Sequence, residues 1–386
     1  MKILVLSDTG FTYDPRIIRE CVALQNVGHD IQVVCAQITD ESKKGVYRGI
    51  KYLRAFDSRI FNIRQRRYIK SIGALLLQQF DFDVIHCHNE AMLNLAVSLK
   101  RITKAKIVYD SHELFHAWPL NVNTDNNWLK MKSAIVRYFL VKREKRNSRY
   151  LDYCITVCNS LADDLHLHFA LKTRPVVLRN VPEVVDFGKK HDILRSIFHI
   201  SSQTKIFVFI GTHIYPKSLN LEQVIDEVCN KKDIALVFIC ADDSGKTAIE
   251  DYAATKGMRN IYFHPLIKPE NISAYLASAN VGLVPTWNKN DLSYWYALDN
   301  KLFEYMMAGI PVVATQQPEY KSIIGKYNYG ICINPDIKDA YYKGFLEIID
   351  KYSFFETKTV EAQAMLNWNI EQKLLLDLYK LIETQL

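Results

Sequence analysis

Several motifs that would assign a function at once are missing from this chain of 386 residues. No Cys-x-x-Cys pair occurs, and Cys154 and Cys158 lie four residues apart with no second pair at zinc-site spacing. We therefore expect all eight cysteines to be reduced and mostly buried in the core. No apolar run approaches the ~18 residues that a membrane span needs, and the apolar stretch at residues 3–6 is too short for a signal peptide. A cytoplasmic protein is expected.

Two nucleotide-binding loops are also absent. No Gly-x-Gly-x-x-Gly follows the first predicted strand of either half, which argues against a dinucleotide-dependent oxidoreductase. Ser244-Gly245-Lys246-Thr247 resembles the end of a P-loop, but position 240 holds Cys where that loop needs Gly. Asp242 and Asp243 would also repel phosphates, so we do not expect a nucleoside-triphosphate site there.

The composition is that of an ordinary globular protein, with 49% hydrophobic and 24% charged residues. The net charge of +7 is unevenly spread. Residues 1–180 hold 28 Lys and Arg against 17 Asp and Glu, whereas residues 181–386 hold 21 against 25. A basic half indicates an anionic partner such as nucleic acid, a phosphorylated substrate or anionic lipid.

Short apolar runs alternate with amphipathic stretches along the whole chain. Such alternation predicts parallel strands joined by crossover helices, so the fold class is α/β with two Rossmann-like domains. Mixed charge over residues 184–196 suggests a linker, which gives an N-terminal domain of residues 1–183 and a C-terminal domain of residues 184–386. We predict strands at residues 2–6, 31–35, 83–87, 106–109, 153–157, 206–210, 235–240, 261–263, 281–284 and 311–314. We predict helices from Asp14 and near residues 219–230, 246–256, 270–278, 300–308, 318–324, 337–350 and 368–386.

Polar residues follow two predicted strands of the first half, where ligands of open parallel sheets bind. His86 and His88 share one strand face and are either metal ligands without a third neighbour or a polar strand end that lines a cleft. After the next strand come Asp110, Ser111 and His112. His112 either hydrogen-bonds or exchanges a proton with a substrate, or the segment only caps the next helix.

Two segments of the second half point to an anionic ligand. Gly211 follows a predicted strand and permits close approach of a ligand, while Lys217 either reaches a diphosphate or faces solvent. A predicted helix begins at Asn300, and its first-turn amides can bind an anion. Lys301 and Glu304 share a face there. Either Lys301 adds charge and Glu304 accepts from a diol such as ribose, or the two form a surface ion pair.

Two stretches are rich in basic residues. Residues 130–149 hold eight Lys and Arg against one acid, Glu144, with aromatic side chains interleaved. Such stretches either bind an anionic membrane surface, at about 1 kcal/mol per basic residue, or form a solvated helix face. No recognition motif for nucleic acid accompanies them, so no nucleic-acid partner is expected. The second stretch, residues 59–70, holds Arg59, Arg64, Arg66, Arg67 and Lys70 and no acid.

In their order and spacing, these segments resemble the GT-B glycosyltransferases of family 4, which are retaining enzymes that use nucleotide sugars. The similarity runs through nearly the whole chain and is strongest over residues 300–314. It rests on Asp14-Pro15-Arg16, Gly28-His29, Asp83-Val84-Ile85-His86, Tyr109-Asp110-Ser111-His112-Glu113, Ile155-Thr156-Val157-Cys158-Asn159-Ser160, Val177-Leu178-Arg179-Asn180-Val181-Pro182, Asn300-Lys301-Leu302-Phe303-Glu304-Tyr305-Met306 and Ala308-Gly309-Ile310-Pro311-Val312-Val313-Ala314.

The resemblance implies two domains that face each other across a cleft, with the final helix, about 368–386, packing back on the N-terminal domain. It implies no cofactor and no metal, because helix dipoles and basic side chains stabilise the leaving diphosphate. For the nucleotide-sugar donor it implies Glu304 on the ribose, backbone near Leu266 on the base, and Gly211, Lys217, Asn300 and Lys301 near the diphosphate. It implies a catalytic His112 near the transferred sugar, with Asp14, Arg16, His88 and Asp110 on the acceptor side.

Three positions depart from the family pattern. Tyr296 stands where the first of two glutamates separated by seven residues would lie. The loop before Lys217 holds His213 but lacks the usual arginine, and the first glycine-rich loop is reduced to Thr9-Gly10.

The resulting prediction is a retaining glycosyltransferase that moves a hexosyl or N-acetylhexosaminyl group from a nucleotide sugar to a hydroxyl. The expected acceptor is a polysaccharide, glycan or lipid-linked intermediate of bacterial cell-surface synthesis at the inner face of the cytoplasmic membrane. Two alternatives stay open. The first is a nucleotide-sugar epimerase or hydrolase, which would convert the donor without an acceptor. The second is a catalytically degenerate partner subunit, which would show no turnover.

Overall fold

The computed structural model describes residues 1–36, 42–56, 71–117, 126–184, 192–214 and 219–386. Contacts divide the chain into two units. Unit 1 comprises Met1–Asn180 and Glu371–Leu386, and unit 2 comprises Val181–Ile370. Two of the predicted features, Lys217 and the basic stretch 59–70, lie outside the described residues.

Unit 1 contains an eight-stranded sheet in the order β3-β4-β2-β1-β5-β6-β7-β8. Its pairs are parallel except for the antiparallel pair β3–β4. The strands are β1 (Lys2–Leu6), β2 (Asp30–Ala36), β3 (Lys44–Tyr47), β4 (Ile50–Phe56), β5 (Val84–His88), β6 (Lys106–Ser111), β7 (Tyr153–Thr156) and β8 (Val176–Val177). The helices are α1 (Pro15–Asn26), α2 (71–79), α3 (Asn89–Thr103), α4 (Asn127–Asn147) and α5 (Asn159–Phe169).

Unit 2 contains a six-stranded, all-parallel sheet in the order β11-β10-β9-β12-β13-β14. The strands are β9 (Lys205–Ile210), β10 (Ile234–Ile239), β11 (Ile261–His264), β12 (Val281–Val284), β13 (Val312–Thr315) and β14 (Gly330–Ile333). The helices are α6 (Ile193–Phe198), α7 (Leu221–Val228), α8 (Ser244–Thr255), α9 (Ile272–Leu276), α10 (Leu292–Trp295), α11 (Asn300–Met307), α12 (Pro318–Tyr327), α13 (Ala340–Asp350) and α14 (Tyr352–Met365). The last helix, α15 (Trp368–Glu383), begins in unit 2 and belongs to unit 1 from Glu371 onward.

Both sheets reverse their strand order at one point. In unit 1 the reversal lies between β1 and β5, and in unit 2 it lies between β9 and β12. In open parallel sheets the loops at such a reversal leave a crevice beyond the carboxyl ends of the strands, where ligands bind. The two reversals are therefore the places at which each unit is expected to bind a ligand.

Strands with helices on both faces need apolar side chains on both faces, and this is why the apolar runs identified them. Every residue of β10 is buried, as are all those of β1 after Lys2. Helix α1 begins where the sequence predicts, because the Asp14 carboxylate accepts from the amides of Arg16 and Ile17 and Pro15 occupies the first turn. The predicted α/β class and all ten predicted strands are confirmed within one or two residues.

The linker prediction is wrong for its last part. Residues 193–196 lie in helix α6, whose Leu194 is buried and donates its amide to Ser278 Oγ. A mixed-charge stretch does not reveal a short helix in which Leu194 alone is fully buried. The sequence also did not predict β3, β4, β8, β14, α2, α3, α5, α10 and α14.

All eight cysteines are free, and six of them are buried. The expectation that the cysteines lie mostly in the core is therefore met. Among the helices that the structure describes, none is both long and apolar enough to cross a membrane.

Candidate active site

The reversal in unit 1 gathers polar side chains on one sheet face. His86 and His88 are two residues apart on β5 and therefore share a face. His88 lies opposite Asp110 in the register of β5 and β6, so the carboxylate joins the same row. All three side chains are buried. Backbone geometry thus brings together residues that are 22 positions apart in the sequence.

Arg16 supplies the positive charge for this row. Its guanidinium is 3% exposed and makes two 2.9 Å hydrogen bonds to Asp110, from Nε to Oδ2 and from Nη2 to Oδ1. Nη1 donates to the carbonyl of Leu178 at 2.9 Å. A bidentate pair of this kind fixes the direction as well as the distance of the carboxylate. Asp14 contributes by capping α1, which sets where Arg16 enters the cluster.

His112 completes a triangle with His88 and Asp110. Its Nε2 atom lies 3.1 Å from His88 Nδ1 and 3.3 Å from Asp110 Oδ2, and His88 Nδ1 also lies 3.3 Å from that oxygen. The His112 side chain is 19% exposed, whereas His88 and Asp110 are enclosed. His112 is therefore the one member of the triangle that a ligand can touch, while the other two orient it.

Two further residues, which sequence reasoning did not connect to His86, extend the cluster inward. Glu20 lies one helical turn after Arg16, and its Oε1 atom is 2.9 Å from Arg16 Nε. Its Oε2 atom is 3.5 Å from His86 Nε2. On the other side of the ring, Tyr379 Oη of α15 is 2.8 Å from His86 Nδ1. We name Arg16, Glu20, His86, His88, Asp110, His112 and Tyr379 the buried cluster.

Burial and neighbouring charges shift the pKa values of the two carboxyl groups of this cluster in opposite directions. Burial alone would raise the pKa of Asp110, but the neighbouring Arg16 guanidinium and His112 hold it well below its usual range. For Glu20 burial prevails, and its pKa lies well above 4.5 despite the opposing charge of Arg16. Burial also lowers the pKa values of His86 and His88. Near pH 7 these shifts favour the ionised form of Asp110 and oppose protonation of both histidines of β5.

The cluster has the composition of a metal site but not its geometry. Within the described chain, one group brings such donor atoms within 4.8 Å of one another, namely Glu20, His86, His88 and Asp110. Arg16 already lies 2.9 Å from both carboxylates. The two imidazole rings are stacked, with centroids 4.5 Å and planes 11° apart, so their lone pairs run parallel and do not converge. The Arg16 guanidinium thus lies between the two carboxylates that a metal ion would need as ligands.

The reversal in unit 2 gathers the residues predicted to hold the donor. Gly211 directly follows β9, and a Cβ atom there would lie 3.0 Å from the Phe209 ring. Asn300 and Glu304 lie in the first two turns of α11, which follows the neighbouring strand β12. Asn300 is exposed and Glu304 half-buried. The loop after β9 and the first turns of α11 therefore meet beyond the carboxyl ends of these central strands, which we call the edge of unit 2.

Lys301 is held in place by Asp299. Lys301 Nζ lies 2.7 Å from Asp299 Oδ2, which also accepts from Thr286 Oγ1 at 2.8 Å. Burial would raise the pKa of Asp299, but Lys301 and Thr286 lower it. The ammonium lies 5.6 Å from the centroid of the Phe209 ring. Lys301 thus carries its charge at the end of β9, beside the segment that contains Gly211.

The Tyr305 side chain connects the two central strands at this edge. Its hydroxyl accepts from the amide of Ile210, the last residue of β9, at 3.0 Å and donates to the carbonyl of Leu283 in β12 at 3.2 Å. A Cβ atom on Gly282 would come within 2.3 Å of the Tyr305 ring, so only glycine fits there. One buried side chain of α11 therefore fixes both strands at the reversal.

Leu266 lies further along the same edge, in the loop after β11, and is 51% exposed. Strand β11 is two strands away from β9, which is about 10 Å. That separation suits a base at one end and a diphosphate at the other end of an extended ligand. Lys217 lies outside the described residues.

The segment that resembles a P-loop is a capped helix start. The Asp243 carboxylate accepts from the amides of Gly245 and Lys246, the groups that a P-loop would offer to a phosphate. Asp243 Oδ2 also lies 2.7 Å from His213 Nδ1. A Cβ atom on Gly245 would lie 2.0 Å from the carbonyl oxygen of Ile214, so the loop after β9 packs directly on this turn.

The described basic stretch forms most of α4, and its N-terminal half presents apolar side chains to solvent. Trp128, Tyr138 and Phe139 are each about 60% exposed. Lys132 and Lys142 lie over the rings of Trp128 and Tyr138, at 5.3 and 5.6 Å from the centroids. Glu144 and Asn147, near its end, are the residues of α4 that are buried.

Two family models match the sequence. The model described as Glycosyltransferase Family 4 matches residues 16–181, and the model described as Glycosyl transferases group 1 matches residues 204–351. No curated protein sequence matches the chain significantly.

Solved structures share the fold at low sequence identity. Sucrose-phosphate synthase from Thermosynechococcus elongatus is 13% identical with a TM-score of 0.79, and the match covers 100% of both chains. HepE from Anabaena in complex with UDP-glucose is 13% identical with a TM-score of 0.71, covering 98% of this chain and 100% of that one. WaaG, a glycosyltransferase involved in lipopolysaccharide biosynthesis, is 14% identical with a TM-score of 0.67, covering 94% of each chain. With its two parallel-sheet units and both family matches, the chain belongs to the GT-B glycosyltransferases of family 4 and group 1.

Proposed function

We propose that the enzyme transfers a sugar from a nucleotide-diphosphate sugar to a hydroxyl acceptor with retention of configuration. The observation that carries the donor assignment is the edge of unit 2, where Gly211, Lys301 and Glu304 meet at the reversal of strand order. The structurally similar HepE binds UDP-glucose. In our proposal Glu304 holds the ribose, Lys301, Asn300, Gly211 and Lys217 hold the diphosphate, and the loop at Leu266 contacts the base.

The chemistry assigned to unit 1 is orientation and polarisation. In the proposed step the bond between the anomeric carbon and the diphosphate oxygen breaks, and a bond to the acceptor oxygen forms on the same face. The proton of the acceptor hydroxyl passes to the leaving diphosphate. His112, held by Asp110 and His88, hydrogen-bonds the transferred sugar, and Asp14, Arg16, His88 and Asp110 shape the acceptor side. No protein nucleophile is required.

We also propose that transfer needs no metal ion. Lys301 at the start of α11 carries positive charge where the diphosphate is expected, and first-turn amides can bind anions. Transfer assayed with and without a chelator tests this point. Loss of activity on chelation, restored by one divalent cation, would contradict it.

Thermal unfolding with UDP, GDP, ADP, CDP and their sugar conjugates tests the donor site. A ligand at 100 times its dissociation constant stabilises by ~2.7 kcal/mol, which raises Tm by a few degrees. We expect one base to be selected, and Glu304→Ala to weaken its binding at least tenfold. Glu347→Ala is the control, since Glu347 makes only an exposed ion pair with Lys351 on α13. Equal affinity of Glu304→Ala and wild type would contradict the ribose assignment.

Product analysis separates the remaining alternatives. A donor that is isomerised or rapidly hydrolysed without acceptor would favour an epimerase or hydrolase. Nucleotide binding without turnover, or no binding at all, would favour a degenerate partner subunit. Tyr296 in place of the first family glutamate would then be the first position to test.

For the acceptor we propose a lipid-linked, glycan or polysaccharide intermediate at the inner face of a bacterial membrane. The support is α4, which combines exposed aromatic side chains with basic ones, as membrane-surface helices do. The structurally similar WaaG acts in lipopolysaccharide biosynthesis. The basic stretch 59–70 is assigned to the same surface on its composition.

Sedimentation with lipid vesicles tests this surface. We expect binding to vesicles that contain anionic lipid, little binding to purely zwitterionic vesicles, and at least a fivefold loss with Phe139→Asp. The control is Phe354→Asp, because Phe354 is similarly exposed but lies on α14 of unit 2. Equal retention of both variants would contradict a role of α4 in membrane binding.

A further inference from the structure

The buried cluster has one negative charge more than it has positive charges, if all its groups carry their ordinary states. Arg16 contributes one positive charge, whereas Asp110 and Glu20 would contribute two negative charges. Arg16, Glu20, His86, His88 and Asp110 are each at most 3% exposed. A net charge in such a place is costly, so the cluster is expected to bind a compensating proton.

The hydrogen bonds show which buried polar atoms of the cluster lack a partner. The Arg16 guanidinium forms hydrogen bonds with Asp110 and Leu178, so the arginine and the aspartate satisfy each other. Neither oxygen of Glu20 has a hydrogen-bond partner, and neither has His86 Nε2. The unpartnered Glu20 Oε2 and His86 Nε2 face each other across 3.5 Å.

The groups around Glu20 come from every element packed against it. They add one cation, Arg19, and one acid, Asp14, whose opposite charges offset each other, so the excess of one negative charge remains. The titratable and charged neighbours are Asp14, Arg16, Arg19 and Cys21 on α1, His86 and His88 on β5, Asp110 on β6, His112 just after it, and Tyr379 on α15.

We propose that Glu20 and His86 share one additional proton near pH 7, and that this pair is a positioning element for Asp110 and His112. With the proton on Glu20 Oε2, that oxygen donates to His86 Nε2, and Glu20 Oε1 faces Arg16 Nε as an acceptor. His86 Nδ1–H then donates to Tyr379 Oη at 2.8 Å. Glu20 Oε2 and His86 Nε2, which lacked partners, hydrogen-bond each other in this arrangement.

The positioning role follows from competition for Arg16 and rests on the proposed function of His112. When the pair loses its proton, two carboxylates lie 2.9 Å from the same Arg16 Nε atom. The bidentate pair with Asp110 then weakens, and with it the 3.3 Å contact that orients His112. Transfer is therefore expected to decline on the alkaline side as the pair deprotonates.

Infrared difference spectroscopy of wild type minus Glu20→Gln measures the proton directly. At pH 7 we expect the difference to show the carbonyl stretch of an un-ionised carboxylic acid, or imidazolium bands if the proton resides on His86. Glu144→Gln provides a positive control, because burial raises the pKa of Glu144 to about 8. A difference spectrum with only ionised carboxylate bands for Glu20 would overturn the proposal.

The pH dependence of Tm gives a second measurement without any substrate. Glutamine cannot lose a proton, so Tm of Glu20→Gln relative to wild type is expected to rise by a few degrees between pH 6 and pH 9. Parallel curves would overturn the shared proton, even if the variant is less stable at every pH.

The pH profile of kcat/KM tests the positioning role. We expect Glu20→Gln to lose the alkaline decline that wild type shows. Glu144→Gln serves as the matched control, because it also removes a buried carboxyl of unit 1 but one that contacts Tyr109, away from His112. If kcat/KM of Glu20→Gln still declines at alkaline pH as it does in wild type, the positioning role is overturned, whereas the shared proton is not. If no donor supports transfer, the proposed function fails, while the infrared and Tm results still decide on the proton.

Discussion

Tyr305 shows how much one hydroxyl contributes at the edge where the donor is expected. It bonds Ile210 and Leu283 at once, and the residue is fully buried. Tyr305→Phe leaves the Ile210 amide without a partner, which costs about 1–3 kcal/mol. Urea unfolding measures this loss. Tyr329→Phe is the control, since Tyr329 is buried but its hydroxyl has no hydrogen-bond partner. Equal unfolding midpoints of the two variants would contradict the bridging role.

The raised pKa of Glu144 predicts that the protein becomes less stable as the pH rises. Burial raises its pKa to about 8, against the opposing hydrogen bond from Tyr109. Between an unfolded value near 4.5 and about 8, the folded chain holds a proton that the unfolded chain releases. Stability from this group is therefore present at low pH and falls as the pH rises through that window. Above about 8 the contribution is constant.

Replacing the Glu144 carboxyl should abolish this decrease of stability with rising pH. Urea midpoints of Glu144→Gln, relative to wild type, are expected to increase from pH 5 to pH 8 and then level off. The exposed Glu347→Gln on α13 is expected to follow wild type throughout. A constant difference between Glu144→Gln and wild type would show that the carboxyl is ionised in the folded chain.

At the scale of elements, α15 is predicted to stabilise unit 1 through one face. Leu375, Tyr379 and Ile382 recur at helical spacing and are fully buried, whereas Leu381 is 48% exposed. Ile382→Ala should cost about 2–5 kcal/mol and Leu381→Ala less than about 0.5 kcal/mol. Denaturant unfolding of the two neighbouring variants provides the comparison. Similar losses would mean that α15 does not pack on this face.

Elements with strong local patterns could be predicted from the sequence, and others could not. Strand β9 is a continuous apolar run, and α11 has a clear start and a glycine stop, so both were located. The hairpin of β3 and β4 mixes charged and apolar residues, and only its packing shows that Ile50 is buried. Helix α14 follows α13 after one residue, and its apolar residues do not form a distinct face.

Some residues of the candidate site could likewise be predicted from the sequence, and others could not. Asp110 and His112 could be selected because they follow the predicted strand at residues 106–109, and the register of β5 and β6 places His88 beside Asp110. Glu20 lies on the buried face of α1 and gives no sequence signal beyond its spacing of four from Arg16. Tyr379 contacts His86 from 293 residues away in the chain. Such contacts arise only from the tertiary fold.

The charge of the whole molecule predicts that the proposed membrane association depends on salt. Residues 1–180 carry 28 basic against 17 acidic residues, and residues 181–386 carry 21 against 25. From about 0.1 M to about 1 M salt the Debye length falls from roughly 10 Å to 3 Å. We expect sedimentation with anionic vesicles to decrease over this range. Binding that is unchanged by salt would assign the association to apolar contacts of α4 alone.

The order in which the chain leaves the ribosome has a consequence for its folding. The division between the units falls within α15, and residues 371–386 complete unit 1 after the whole of unit 2 has been synthesised. Unit 2 is one continuous segment and can reach its final fold while the chain is still growing. Unit 1, although most of it is made first, waits for Tyr379 to meet His86. Unit 1 is therefore completed only after unit 2, although residues 1–180 precede unit 2 in the chain.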